Sequence, residues 1–326
     1  MRRTMLAVVG FLCFVGALGA FAQEKKKVVF IAGRPSHGFG GHEHNAGCRI
    51  LAKALNESGL PVEATVVEDA KWPKDPVKEF AGVAAIIMYC DGGGGHMVVP
   101  HLKDMAELNA KGTSVACIHY AVEVEQEANK GGPQFLDWMG GYYETYLSVN
   151  PHWRAYFTQL PKHPVTSGVR PFSTDDEWYF HMRFRENMEG VTPILTAVPP
   201  DRARAGKDDA HGGNAEVRAG IGKNIPEHVV WVSENKNGTR GFGCTGGHNH
   251  INWWQDDFRK TVLNAIVWIA KVDVPADGVP SKRPDPFTYV KQDEPVPWSL
   301  DLADVTRRIE EMNKPLDPSK VPAPGK

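Results

Sequence analysis

The stretch SVACIHYAVEV, residues 114–124, decides how this chain folds. Its apolar run, Val115-Ala116-Cys117-Ile118, stops at His119-Tyr120, and small and acidic residues then begin a new segment. A short run that is apolar at every position reads as a strand buried on both faces of a parallel sheet. An open α/β sheet carries its chemistry outside the carboxyl ends of its strands, so His119 stands where a functional group is expected. Three other apolar runs also end in loops rich in histidine or glycine. As parallel neighbours of this run, they bring those loops to one crevice around His119.

Upstream, residues 27–33 (KVVFIAG) form the first strand, and the loop RPSHGFGGHEHNAG after it holds His37, His42 and His44. Ile50, Leu51, Ala54 and Leu55 recur at helical spacing over residues 43–58, and Gly59 ends that helix. Residues 62–68 form a second strand. Residues 83–90 (VAAIIMYC) form a third, followed by Asp91, four glycines and His96. Residues 102–110 form an amphipathic helix. Such alternation specifies parallel strands joined by crossover helices.

Downstream, residues 131–156 concentrate Phe135, Trp138, Tyr142, Tyr143, Tyr146 and Trp153. They read as an aromatic insertion, either a lid or a subunit contact, the second of which implies a homo-oligomer. An acidic and aromatic segment, DDEWYFH, spans residues 175–181. A strand at 191–198 and a charged loop at 201–213 come next. A hairpin of residues 228–233 and 240–245 turns at Asn237-Gly238. GGHNH (246–250) and Trp253-Trp254 precede a final helix over 256–271. Beyond 272 proline becomes dense, and the chain reads as a tail, draped on the domain or partly disordered, with one short helix at 300–312. The expected division is 1–22 signal peptide, 23–272 one α/β domain and 273–326 tail.

The composition, 42 % hydrophobic and 23 % charged over 326 residues, is that of a globular domain. Arg2-Arg3, an apolar core at 5–18 and Ala20-Phe21-Ala22 read as a secretory signal cleaved before Gln23. No later segment is apolar enough to span a bilayer, so the expected location is periplasmic or secreted. Cleavage removes two arginines and no acid, taking the formal charge from −2 to about −4. With no basic patch, nucleic acid is not an expected partner. The remaining cysteines, Cys48, Cys90, Cys117 and Cys244, are too few and scattered for a disulfide framework and read as buried thiols.

Nine histidines lie at or near loops that face one sheet edge: His37, His42, His44, His96, His101, His119, His181, His248 and His250. Histidine is the commonest protein metal ligand, and the His-x-His pairs 42/44 and 248/250 each hold two imidazoles close together. Asp176 or Glu177 can add a carboxylate. The set matches neither an HExxH helix nor a CxxC pair. The expected metal ligands are His42, His44, His119 and His248, for a divalent metal such as zinc. Gly92 to Gly95 can cradle an anion or admit an uncharged ligand, but they lack the P-loop lysine, and no nucleotide cofactor is expected. Cys117, mid-strand, points into the protein, whereas His119 sits where a nucleophile or general base belongs.

These residues resemble a known family. VVFIAG with its histidine loop, VACIHYA, HPVTSGV followed by DEWY, and GFGCTGGHNHINWW before the last helix are similar to the trehalose-utilisation (ThuA-like) family over residues 25–271. Gly246-Gly247-His248 and the strand-end His119 are the most specific pieces. The resemblance implies a class I glutamine amidotransferase-like fold, that is, a flavodoxin-like doubly wound, mostly parallel sheet. In amidotransferases of that class the equivalent strand ends in a cysteine nucleophile on a sharp turn. Here that position is His119, with Cys117 two residues early, which argues against glutamine hydrolysis. The glycines of GFGCTGG imply a more open site than is typical of the family.

The family is associated with sugar metabolism, including trehalose and its oxidised (3-keto) forms. The expected substrate is therefore a small carbohydrate, processed by acid–base or metal-assisted cleavage with His119, Glu177 and His248 as catalytic groups. Aromatic faces suit sugar C–H groups, and the expected substrate contacts are His37, Asp91, Gly93, Tyr120, Trp178, Tyr179 and Trp253. The alternatives are a non-catalytic sugar-binding accessory protein and, third, an amidotransferase-like hydrolase using Cys117.

Overall fold

In the central strands every second side chain faces the same layer, and both layers are apolar. Val28, Phe30 and Ala32, Ala85, Ile87 and Tyr89, and Ala116 and Ile118 join one buried cluster. Val29 and Ile31, Ile86 and Met88, and Val115 and Cys117 join the other. Strands with period-two side chains that are apolar at both phases must be covered on both faces. The computed structural model, which describes residues 24–326, has that arrangement; residues 1–22, expected to be a signal peptide, lie outside the described residues.

The strands in chain order are β1 (Lys26–Ala32), β2 (Val62–Val67), β3 (Ala85–Tyr89), β4 (Ser114–Ile118), β5 (Glu123–Val124), β6 (Gly141–Glu144), β7 (Trp153–Phe157), β8 (Phe172–Asp176), β9 (Arg183–Phe184), β10 (Val191–Ala197), β11 (Glu227–Glu234) and β12 (Arg240–Cys244). Seven make the main sheet, in the order β10-β11-β12-β4-β3-β1-β2. From β2 to β12 all neighbours are parallel, and only β11 runs against the rest. The run 2-1-3-4 is the flavodoxin-like order, whose topological switch falls between β1 and β3. Helices His44–Glu57 and Asp256–Ile269 bury residues in the first cluster, Leu102–Ala110 and Gly132–Met139 in the second. The fold is thus α/β, doubly wound and mostly parallel.

Two features depart from a plain layered domain. The aromatic insertion folds into the helix Gly132–Met139, a small β5-β6-β9 sheet and the β7-β8 hairpin. Most of its rings are buried, and Tyr146 is the exposed one. The glycines of β12 and its exit loop do not open the site, as the resemblance implied. A Cβ on Gly243 would lie 2.1 Å from the Trp231 ring, and one on Gly246 2.5 Å from Trp178. Those glycines give their space to tryptophans.

The segment after residue 272 packs onto the domain and reaches back to the loop after β1. Tyr289 is buried between Phe39, His250 and Trp254, and Val305 and Ile309 of the helix Leu302–Met312 join the main core. Helix His44–Glu57 has no side-chain cap from its own Glu43. The carboxylate of Asp293 accepts from the Asn45 and Ala46 amides instead, at 2.9 and 3.2 Å. Glu43 in turn accepts from Gly40 and from the Asp293 and Glu294 amides. An acidic cap satisfies the free amides and favours the positive end of the helix dipole. Asp293→Ala is therefore expected to cost about 1 kcal/mol of stability and to speed hydrogen exchange at the Asn45 and Ala46 amides. Unchanged exchange there would show that the tail does not hold this loop.

Candidate functional site

Four loops meet beyond the carboxyl ends of β1, β3, β4 and β12, astride the switch point. The loops after β1 and β12 are tied directly: Gly41 bridges Asn249, the His42 amide donates to the His248 carbonyl, and the His250 amide donates to that of Gly40. Asp176, buried at the end of β8, fixes the β12 loop by accepting from the Gly247 and Asn249 amides and from Asn252 Nδ2. Just beyond it, Glu177 and Tyr179 both reach His119, while Trp178 between them packs into the core.

His119 sits at a sharp turn with φ +55°, and His42 has φ +48°. Both lie in the left-handed region, which L-residues other than glycine and asparagine enter at a cost of about 1–2 kcal/mol. Strain of this kind persists where the surrounding structure holds a side chain for use. The turn at His119 thus keeps the nucleophile-elbow geometry implied by the resemblance, with an imidazole in place of a thiol. Cys117 is fully buried, its thiol pushed far up by burial, so the structure gives it no route to a substrate.

The ring nitrogens can be assigned from their partners. His119 Nδ1 lies 2.8 Å from the Thr245 carbonyl, which only accepts, so Nδ1 carries the proton and Nε2 a lone pair. His42 Nδ1 lies 2.8 Å from Asp91 Oδ1, with the same consequence for its Nε2. Those two Nε2 atoms face each other at 3.0 Å. Burial, outweighing the Asp91 contact, pushes His42 down to about 3, so at neutral pH it has no proton to offer across the gap.

Glu177 Oε2 is 3.5 Å from His119 Nε2 and 3.1 Å from His248 Nδ1. The second contact is close but off the direction of a hydrogen bond, which leaves that buried nitrogen unsatisfied. Burial raises the Glu177 carboxyl, but the neighbouring His119 and His248 outweigh it and hold the group well below the usual carboxylate range. His248 moves up: burial lowers it, and the contact with Glu177 more than compensates. One nitrogen or oxygen from each of His42, His119, Glu177 and His248 lies within 4.8 Å of all the others. Three imidazoles and one carboxylate at that spacing are a donor set that suits zinc or another divalent transition metal.

The remaining expected residues are placed as follows. His44 donates from Nδ1 to the Arg34 carbonyl, and its Nε2, 3.8 Å from Asp91, stays outside the converging set. His37 lies against the His42 ring, tilted by 34° with centroids 3.6 Å apart, at the exposed rim. Asp91 orients His42 and accepts from Ser36. Gly93, with φ +66°, lies against Glu123 and Tyr120, and a side chain on Gly94 would meet the Glu125 carboxylate. That acidic lining suits an uncharged ligand better than an anion. Trp178 and Trp253 are wholly buried, packed among Phe157, Phe258 and Tyr89, and show no face to solvent. His96 is buried on the Ala121 carbonyl and His250 in the core, His101 stacks on Trp72, and His181 pairs with Glu216.

Sequence reasoning passed over three contributors. Asn150 donates to Glu177 Oε1 at 3.1 Å, and His152 lies 3.9 Å from the same oxygen. His211 binds both oxygens of the buried Glu123. All three come from the insertion or the charged loop, where periodicity is lost and no local pattern signals orientation.

Fold and site together define a doubly wound α/β protein whose strand-end elbow presents histidine within a histidine–carboxylate centre. The profile of the trehalose-utilisation (ThuA) family matches residues 27–269, and the chain belongs to that family. It is also similar in fold to the crystal structure of a ThuA-like protein from Bacteroides uniformis, at 17 % identity and a TM-score of 0.53 over 78 % of this chain and 95 % of that one. Comparison with curated proteins gives no match.

Proposed function

We propose that this is an exported protein that processes a small carbohydrate derivative, trehalose-like or its 3-keto form, at a divalent metal centre held by His42, His119, Glu177 and His248. The observation that carries the reading is the pair of imidazoles whose Nε2 atoms meet at 3.0 Å while each Nδ1 faces an acceptor. The lone pairs of two neutral rings so placed repel unless a cation lies between them, and Glu177 and His248 each bring a further donor atom within 4.8 Å of both. Membership of a family named for trehalose utilisation supports a sugar as substrate.

A divalent metal supplies Lewis-acid polarisation of a carbonyl or hydroxyl oxygen when bound. The chain's own groups do the rest. Asp91 and the Thr245 carbonyl lock the His42 and His119 tautomers, as outer partners of metal-binding imidazoles do. Glu177 offers Oε2 to the centre, while Oε1, turned to Asn150 and His152, stays available to move a proton. Tyr179 Oη, 3.1 Å from His119 Nε2 and 3.4 Å from Glu177 Oε2, donates to whichever accepts. Access runs past Asp91, Glu177 and His248, whose side chains are 41, 14 and 15 % exposed.

The test is consumption of 3-keto-trehalose followed by chromatography. Turnover is expected to stop after dialysis against a chelator and to return with zinc or manganese. Turnover that survives complete metal removal would reject the metal-assisted route.

A further inference from the structure

Beside the histidine–carboxylate centre lies a second ionisable pair. Glu123, in β5, is almost wholly buried, and both of its oxygens accept from His211 Nε2, at 2.9 and 3.1 Å. Thr145 donates to the same carboxylate at 2.8 Å. Since Nε2 is bound to Glu123, Nδ1 is the free nitrogen of His211, and it has no partner among the described residues. The side chain is 34 % exposed, so solvent and ligands reach it. A carboxylate on one imidazole nitrogen with the other left open is how proton-transferring histidines are oriented.

A continuous run of rings connects this pair to the centre. His119 lies against Tyr179, Tyr179 against Tyr143 and Tyr143 against His211, with centroids 4.8, 5.2 and 5.8 Å apart. On the other side His42 lies 5.9 Å from Tyr120, and Tyr120 6.3 Å from His211. The six rings form a closed circuit of contacts with His119 and His42 at one end and His211 at the other. The hydroxyl of Tyr143, within this circuit, is buried without a partner.

We propose that His211, clamped by Glu123, is a second catalytic group of this site, donating from Nδ1 in its protonated form to an oxygen of the carbohydrate. The proposal rests on the carbohydrate reading above and names the part of the site that grips the substrate away from the metal ligands. The groups facing His211 are Glu123, Asp209 of its own loop, Glu177, Tyr120 and Tyr143. The carboxylates, Glu123 first, outweigh burial and raise the imidazole above its ordinary range, which favours its protonated form. A donor in that state suits protonation of a leaving oxygen or polarisation of a keto group.

The test uses the full mature chain, with His211→Gln and Glu123→Gln as variants and 3-keto-trehalose as the probe. His211→Gln is expected to keep its metal content and melting temperature. It should lose about 100-fold in kcat, with a smaller change in KM and without the alkaline limb of the pH–rate profile. In the wild-type protein, histidine side-chain NMR should show the His211 ring responding to the probe. Full kcat with an unchanged pH profile, or metal lost with the variant, would overturn the assignment. A probe response at His119 and His248 without one at His211 would overturn it while leaving the carbohydrate reading intact. No response at any histidine would remove both.

Discussion

Protein purified without chelators is expected to carry close to one equivalent of a divalent transition metal, and the His42→Ala/His248→Ala variant to carry none. The size of the effect follows from the donor set. Removing two of four donors leaves His119 and Glu177, fewer than the three protein ligands that a catalytic zinc site keeps. Metal content by plasma mass spectrometry, with Kd from competition against a chromogenic chelator, decides the matter. Asp91→Asn provides the graded case. It leaves all four donors but weakens the partner that fixes the His42 tautomer, and loss of such an outer partner lowers affinity about 10–100-fold. Full metal content in the double variant would place any bound ion elsewhere in the protein. No metal in the wild-type protein would remove the metal-assisted route and leave His119 and Glu177 as an acid–base pair.

That centre could be read in the sequence only in part, and the reason is topological. A parallel strand buried on both faces announces itself as an apolar run, so β1, β3 and β4 and the loops at their carboxyl ends were legible, and with them His42, His119 and the crevice. The exit loop of the last parallel strand followed from the same logic and brought in His248. Orientation was not legible. His44 lies two residues from His42 in a loop, but the first turn of its helix swings Nδ1 onto the Arg34 carbonyl, and its free nitrogen lies 3.8 Å from Asp91 without a hydrogen-bond partner. Glu177 enters the centre from β8, outside the main sheet, because alternate side chains there face opposite ways. The same alternation sends Trp178, expected against a sugar, into the core. His211 and His152 stand in segments without periodicity, and only the fold brings them to the crevice. The tail carries no periodic signal before residue 300, yet Asp293 caps the helix that begins at His44.

Replacing His119 is expected to lower kcat for 3-keto-trehalose by about 10²–10⁴-fold, the range for losing a positioned proton-transfer group. The strain at that residue gives the experiment a second, independent readout. With φ at +55°, His119 occupies backbone space that glycine enters freely and alanine does not. His119→Gly and His119→Ala remove the same imidazole, the same contact to Thr245 and the same metal donor, so their activities should fall together. Their stabilities should separate, glycine being the more stable by about 1 kcal/mol, the cost of a left-handed L-residue. Chemical denaturation measures that gap. Equal loss of turnover with glycine ahead in stability would show that the chain holds its elbow histidine against a backbone preference in order to use the side chain. Turnover preserved in either variant would take His119 out of the chemistry. Wild-type protein that binds the sugar without consuming it, with binding lost in both variants, would instead establish a sugar-binding accessory protein on an enzyme-like fold, in which the strained imidazole serves recognition.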